Sequence, residues 1–235
     1  MDALSRLAEQ PERAALFLDV DGVLAPIVDR PEDASVPEST RRELRRLAGR
    51  YGLVACVTGR SSDAARRIVG VPELRYAGEH GLELEPAATA YASEVHRFAR
   101  DSGWPDVEER PVSAALHFRR AADPVAARQA LEAVAAEAAA RGLRASFGRM
   151  VLDILPPLDA TKGTAVRRLL AEARLGRALY AGDDTTDLDG FAALDGLELG
   201  VRVSVASPEG PPRLRELADV VVDSPEAFAG LLREL

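Results

Sequence analysis

The sequence predicts an α/β fold: a doubly wound parallel sheet with a smaller α+β domain inserted between two of its strands. Three observations predict it. Short apolar runs at 14–19, 53–58 and 177–181 stop abruptly at polar residues, as buried parallel strands do at their carboxyl ends. Segments with helical spacing follow them, the alternation of a parallel sheet. The middle of the chain, 84–158, abandons that alternation for alanine-rich and strictly alternating segments.

The first run, Ala14-Ala15-Leu16-Phe17-Leu18-Asp19, continues into Val20-Asp21-Gly22, so two carboxylates one residue apart follow the strand and a glycine lets the chain turn away. Ligands of parallel sheets collect at such strand ends. Two carboxylates this close invite a divalent cation, because otherwise one tends to stay protonated. A helix over about 38–50 precedes the strand 53–58, which closes on Thr58-Gly59-Arg60-Ser61; a helix over about 61–70 and a strand 74–77 follow. In the second half, Thr161-Lys162-Gly163 opens a helix over about 162–174. The strand 177–181 then ends in Gly182-Asp183-Asp184-Thr185-Thr186-Asp187. A helix at 186–194, strands near 197–201 and 218–222 and a closing helix complete the chain. Ser224 caps that last helix, with Pro225 in its first turn.

In the middle, residues 85–103 read as an alanine-rich helix ended by Trp104-Pro105. From 111 to 119 the chain alternates: Ser113, Ala115, His117 and Arg119 fall on one face, and Ala114, Leu116 and Phe118 on the other, a half-buried strand. A helix over 124–141 ends at Gly142, and 143–147 with 150–155 form a hairpin turning at Gly148. These segments predict an open-faced layer of strands under one helix. The division expected is a core of 1–83 and 159–235 and an insert of 84–158.

Composition narrows the function classes. A chain of 235 residues, 47% hydrophobic and 29% charged, is an ordinary globular protein with ample core. The net charge of −8, without a basic block, argues against nucleic acid as a partner. No apolar stretch is long enough for a membrane span, and residues 1–13 lack the apolar segment of a secretory signal. The single cysteine, Cys56, lies inside an apolar run and fits an inert core residue in a reducing compartment, so a cytoplasmic protein is expected; a monomer is the expected state, although no sequence feature counts subunits. Lys162 is the one lysine among 30 basic residues, a compact ammonium where arginine is used everywhere else.

Asp19/Asp21, Thr58, Lys162 and Asp183/Asp187, in that order and three of them at strand ends, resemble the four motifs of the haloacid dehalogenase superfamily of aspartate-nucleophile phosphatases. Within it, DVDGVLAPIV, TGRSSDAARR, YAGEHGLEL, EERPVSAALHFR, GRMVLDILPPLDATKG and GDDTTDLDGF resemble the trehalose-6-phosphate phosphatases, over nearly the whole chain. The resemblance implies a Rossmann-like phosphatase core and a cap domain, and an inserted layer joined by two short connections is expected to open and close over the substrate. It also implies a two-step reaction in which Asp19 attacks phosphorus and Asp21 protonates the leaving oxygen, then deprotonates water. Mg2+ is implied on Asp19, the Asp21 backbone carbonyl and Asp183, with Asp184 and Asp187 orienting them. Thr58 and Lys162 are implied to bind the phosphoryl group, with Gly59, Arg60 and His80 beside it. Threonine is usual after the glycine of the first motif; here it is Val23.

The resemblance also implies a sugar phosphate as the small-molecule partner, recognised from the cap by Glu108, Arg110 and Asp153, with His117 and Arg119 on the polar face. His80 also reads as a structural residue at the joint between domains, and His96 as a surface residue. Lysine and glutamate are more usual at positions 110 and 153. This leaves open a phosphatase for another glycosyl or pseudo-disaccharide phosphate. A catalytically silent sugar-phosphate sensor should have lost Asp19, Asp21, Lys162 or Asp183, and all four are present.

Overall fold

Every residue of the first apolar run is buried, and it forms the strand from which the main sheet is built in both directions. The computed structural model describes residues 3–28, 30–206 and 210–235. Its strands are Ala14–Leu18 (β1), Leu53–Val57 (β2), Arg75–Ala77 (β3), Val107–Glu109 (β4), Ala114–His117 (β5), Arg144–Gly148 (β6), Val151–Leu155 (β7), Arg177–Gly182 (β8), Leu199–Val205 (β9) and Val220–Val222 (β10). The α-helices are Ala3–Ala8 (α1), Glu38–Ala48 (α2), Ser62–Val69 (α3), Ala92–Asp101 (α4), Pro124–Ala140 (α5), Lys162–Ala173 (α6), Asp187–Ala192 (α7), Pro212–Leu217 (α8) and Pro225–Glu234 (α9). The chain divides into two compact units, Met1–Gly81 with Ala160–Leu235, and Leu82–Asp159.

The first unit is a six-stranded sheet of order β10-β9-β8-β1-β2-β3, with every pairing parallel. Its core joins β1, β2, β8 and β9 to the apolar faces of α2, α3 and α9. β1 is central, so chain leaves its neighbours β2 and β8 at the same edge. Leu18 pairs with both Cys56 and Ala181, which brings Asp19, Thr58 and Asp183 to one end of three adjacent strands. Val23 is fully buried in this core, where a hydroxyl would need a partner. The Cys56 thiol is buried too, and burial pushes its pKa up, as expected of an inert core cysteine.

One core strand lies further along the chain than the pattern suggested. β9 covers Leu199–Val205 rather than 197–201, with Val201, Val203 and Val205 buried. Arg202 disguises the run as a strand end, but its guanidinium is tied to Asp195 and the Phe191 carbonyl, so the charge is tolerated mid-strand.

The second unit is an antiparallel sheet of order β4-β5-β7-β6. Its apolar face carries Ala114, Leu116, Leu152 and Ile154. Two helices cover it, α4 through Val95, Phe98 and Ala99, and α5 through Ala127, Leu131 and Ala138. The expected single helix is thus corrected to two, since both stripes are apolar. The segment expected to be helical from 85 begins as a 3-10 turn, Pro86–Tyr91, and becomes α-helical only at Ala92. β4 was not legible as a strand: it is three residues long, two of them glutamate. The opposite face of β5 is also covered, with Ser113 and Ala115 fully buried, so the strand is not half-exposed as its alternation suggested. The β6–β7 hairpin turns at Arg149-Met150, just past Gly148, with Met150 at φ +55°. Among the described residues, no helix is long and apolar enough to cross a membrane.

Candidate active site

Asp19 follows β1 directly, and its amide donates to Ala181 O at 3.0 Å, so the parallel ladder holds its backbone. Its side chain is almost fully buried. Lys162 enters from the first turn of α6. Thr161 caps that helix, its Oγ1 accepting from the Thr164 amide while the Thr164 hydroxyl oxygen accepts from the Thr161 amide. The Lys162 ammonium lies 3.1 Å from Asp19 Oδ2 and 2.7 Å from Asp187 Oδ1. Burial alone would lower the Lys162 pKa, but the carboxylates of Asp187 and Asp19 outweigh it and raise it, holding the ammonium charged. Burial pushes the Asp19 carboxyl up, opposed by Lys162 and reinforced by the negative charges of Asp187 and Asp21.

Asp187 is the most heavily committed group of the site. Its Oδ2 accepts from the amides of Asp183 and Asp184 at 2.9 and 3.0 Å. Its Oδ1 accepts from Lys162 and from the Tyr180 hydroxyl, each at 2.7 Å. Tyr180 is fully buried on β8, and burial followed by the charges of Asp187 and Asp19 raises its pKa far above the usual phenol range. Tyr180 is a site residue not expected from the sequence. The signal that could have found it is a hydroxyl within a run of buried apolar residues, which requires a partner.

Asp19, Asp183 and Asp187 bring carboxylate oxygens within 4.8 Å of one another, a donor set of hard oxygens that fits a metal ion. Because Asp187 already accepts four hydrogen bonds, Asp19 and Asp183 are the side chains placed to bind it. Gly22, at φ +80°, makes room for this: a β-carbon there would lie 2.0 Å from Asp183 Oδ2. The Asp21 carboxylate is not one of the three that converge. It receives Arg60 Nε at 2.6 Å and Nη2 at 2.8 Å, so any contribution of Asp21 to a metal comes from its backbone carbonyl. Asp184 sits beside the cluster, its Oδ1 accepting from the Thr185 amide.

Thr58 is buried at the end of β2; its amide donates to Ala77 O, and its Oγ1 accepts from the Arg60 amide at 3.2 Å. Glu79 and His80 are both left-handed, at φ 49° and 57°. The Glu79 amide donates to Arg60 O and the His80 amide to Thr58 O, stitching this loop to the Thr58-Gly59-Arg60 turn. The His80 ring packs over Gly59, where a β-carbon would meet it at 2.8 Å. Gly59 and His80 thus shape the turn.

A second cluster occupies the polar face of the four-stranded sheet. Glu108, Ala115 and Asp153 stand in register across β4, β5 and β7, and His117 follows on the same face of β5. Arg110 donates to Asp153 Oδ1 at 3.0 Å and to Glu108 Oε2 at 2.9 Å; His117 Nε2 lies 3.0 Å from that same Glu108 oxygen. Burial would raise the Glu108 carboxyl, but the hydrogen bond from His117 and the charge and hydrogen bond of Arg110 hold it at about 2. Arg119 lies two residues past the end of β5. β5 ends at His117, and the hydrogen bonds joining the other four residues do not extend to Arg119. His96 is no plain surface residue: its Nε2 is 2.7 Å from Arg110 O, fixing the strand end to α4.

The parallel sheet and its strand-end acidic site define a haloacid dehalogenase-like fold. A haloacid dehalogenase-like hydrolase from Bacteroides thetaiotaomicron superposes with a TM-score of 0.67 at 14% identity, covering 94% of this chain and 98% of that one. The sequence profile of the trehalose-phosphatase family matches residues 17–99 and 105–225, and the chain belongs to that family. Trehalose 6-phosphate phosphatase RA3 of Zea mays is 32% identical over 236 residues, 85% of this chain and 64% of the maize protein, so this chain spans less than two thirds of that relative's length. The C-terminal domain of Candida albicans trehalose-6-phosphate phosphatase shares the fold at a TM-score of 0.80 and 20% identity, with 97% of this chain and 94% of that one covered.

Proposed function

We propose that the chain is a magnesium-dependent phosphatase that hydrolyses trehalose 6-phosphate to trehalose and phosphate through an aspartyl-phosphate on Asp19. The observation that carries this reading is the Lys162 ammonium, buried and shared between Asp19 and Asp187 at the carboxyl ends of parallel strands. A fixed cation beside a buried carboxylate is what an anionic phosphoryl group needs as it transfers. Membership of the trehalose-phosphatase family supports the substrate.

In the first step an Asp19 oxygen forms a bond to phosphorus while the phosphorus–sugar oxygen bond breaks, and Asp21 gives its proton to the departing alkoxide. In the second, water attacks the aspartyl-phosphate, Asp21 takes the water proton and the Asp19 oxygen leaves phosphorus. Thr58 and Lys162 hold the phosphoryl oxygens throughout, and the Thr58-Gly59-Arg60 turn, braced by His80, keeps Thr58 in place. Asp19, Asp183 and the Asp21 carbonyl would hold magnesium, which when bound neutralises phosphoryl charge. The 84–158 insert acts as the cap, where Glu108, Arg110, Asp153 and His117 offer charged donors and acceptors to sugar hydroxyls.

Phosphate release from trehalose 6-phosphate, sucrose 6-phosphate and glucose 6-phosphate, with magnesium and with chelator, tests the reading. Magnesium-dependent preference for trehalose 6-phosphate is expected. Preference for another sugar phosphate would move the substrate and keep the chemistry. Asp19→Asn should abolish turnover while retaining sugar-phosphate binding, and appreciable residual turnover would overturn the nucleophile.

A further inference from the structure

We infer that Arg60 is the positioning residue for Asp21, holding the acid–base carboxylate in one orientation by a two-pronged clamp; the inference rests on the phosphatase reading above. Arg60 Nε and Nη2 reach the two different oxygens of Asp21, at 2.6 and 2.8 Å, and this arrangement sets the plane of the carboxylate. The third guanidinium nitrogen, Nη1, donates to Pro31 O at 3.0 Å, so the clamp is anchored on a further segment. The Arg60 backbone is held as well: its amide donates to Thr58 Oγ1 and its carbonyl accepts from the Glu79 amide. The Asp21 backbone is held by a single bridge to Ala25, which leaves the direction of its side chain to be set by Arg60. Asp21 follows β1 by three residues, and Gly22 turns the chain at φ +80° immediately after it.

A partly exposed ion pair is a poor source of stability, since such pairs contribute about 0–1 kcal/mol. Here the Arg60 and Asp21 side chains keep 15% and 31% of their exposure, yet the arginine is held by four residues, Asp21, Pro31, Thr58 and Glu79. That investment of contacts is explained by orientation. An acid–base group works only within hydrogen-bond reach of the proton it transfers, and a freely rotating carboxylate spends little time there. Three of the five guanidinium N–H groups are directed at Asp21 and Pro31, so the head group is oriented by those partners.

The test separates action through Asp21 from action on the phosphoryl group. A sugar alkoxide needs a proton to leave; 4-nitrophenolate does not. The kcat/KM values report events up to departure of the leaving group. Arg60→Gln is therefore expected to lose roughly 10²-fold in kcat/KM with trehalose 6-phosphate and to stay within about threefold of the parent with 4-nitrophenyl phosphate. Arg60→Lys, which keeps the charge and loses the second prong, should fall between. The retained 4-nitrophenyl phosphate activity also reports that the variants are folded. Equal losses on both substrates, or no loss on either, would overturn the inference. Asp21→Asn is the control for the underlying reading: it should show the same selectivity between substrates. If Asp21→Asn keeps full turnover of trehalose 6-phosphate, the phosphatase reading of Asp21 fails, and the inference about Arg60 fails with it.

Discussion

The Tyr180 hydroxyl and the Lys162 ammonium meet on the same oxygen of Asp187, each at 2.7 Å. The phenol therefore shares the Asp187 charge with the lysine and leaves Lys162 extended toward Asp19, 3.1 Å away. A buried hydrogen bond to a charged group contributes about 1.5–3 kcal/mol. Tyr180→Phe deletes that bond without changing the ring. If about half of it is felt in the transition state, kcat falls roughly tenfold while KM is little changed. Steady-state kinetics at saturating magnesium checks this, and an unchanged kcat would reduce Tyr180 to a core residue.

Gly22 faces Asp183 Oδ2 so closely that a methyl group there would lie 2.0 Å away. Its φ of +80° adds about 1–2 kcal/mol of backbone strain for any other residue. Gly22→Ala should displace the Asp183 carboxylate and weaken ion binding. Thermal melts with and without magnesium check this, because an ion that binds only the folded state raises Tm. The parent should gain Tm and the variant should not.

Glu108 is held at about 2 in the folded chain, against 4.5 for an ordinary glutamate. A depressed carboxyl stabilises the fold above its unfolded pKa, and that contribution disappears as pH falls from about 4.5 through about 2. The stability difference between parent and Glu108→Gln should accordingly be greatest near neutral pH and shrink across this acid window. Denaturant melts at a series of pH values measure it. Carbon-13 NMR of the Glu108 carboxyl should find the same low midpoint, and one near 4.5 would contradict the observed pairing.

Arg110 and Asp153 form an ion pair with both side chains more than nine-tenths buried. Removing one partner of such a pair typically costs about 3–5 kcal/mol, because the other charge loses its compensation. Arg110→Met should destabilise strongly, and Arg110→Met with Asp153→Leu should recover much of the loss. Urea unfolding of the two variants distinguishes this from simple additivity. Loss of sugar-phosphate affinity in the double variant would then reflect recognition rather than misfolding.

The convergence of Asp19, Thr58 and Asp183 was legible because it depends on a local rule. An apolar run buries itself in a parallel sheet, and the residues at its carboxyl end emerge at one edge. Lys162 was legible from its isolation as the one lysine, at the opening of a helical segment. The helix start at Ser224 was legible because a cap is a contact between near neighbours in sequence. Strands were harder where local signals conflicted. β4 is too short and acidic to register, and the arginine inside β9 looked like an end.

By itself, then, the sequence determined the α/β class, the strand ends that carry the acidic residues, the lysine beside them and the interruption by a different kind of layer. These depend on periodicity and on interactions over a few residues. Only the tertiary structure decided that Asp21 pairs with Arg60, 39 positions away, and that Tyr180 completes the shell of Asp187. It also decided that β7, the last strand of its sheet in sequence, lies between β5 and β6, which sets Asp153 against Arg110. The reason is physical. Which donor meets which acceptor is settled by side-chain direction and strand order once the core has packed, and neither is encoded in the local pattern of apolar and polar residues.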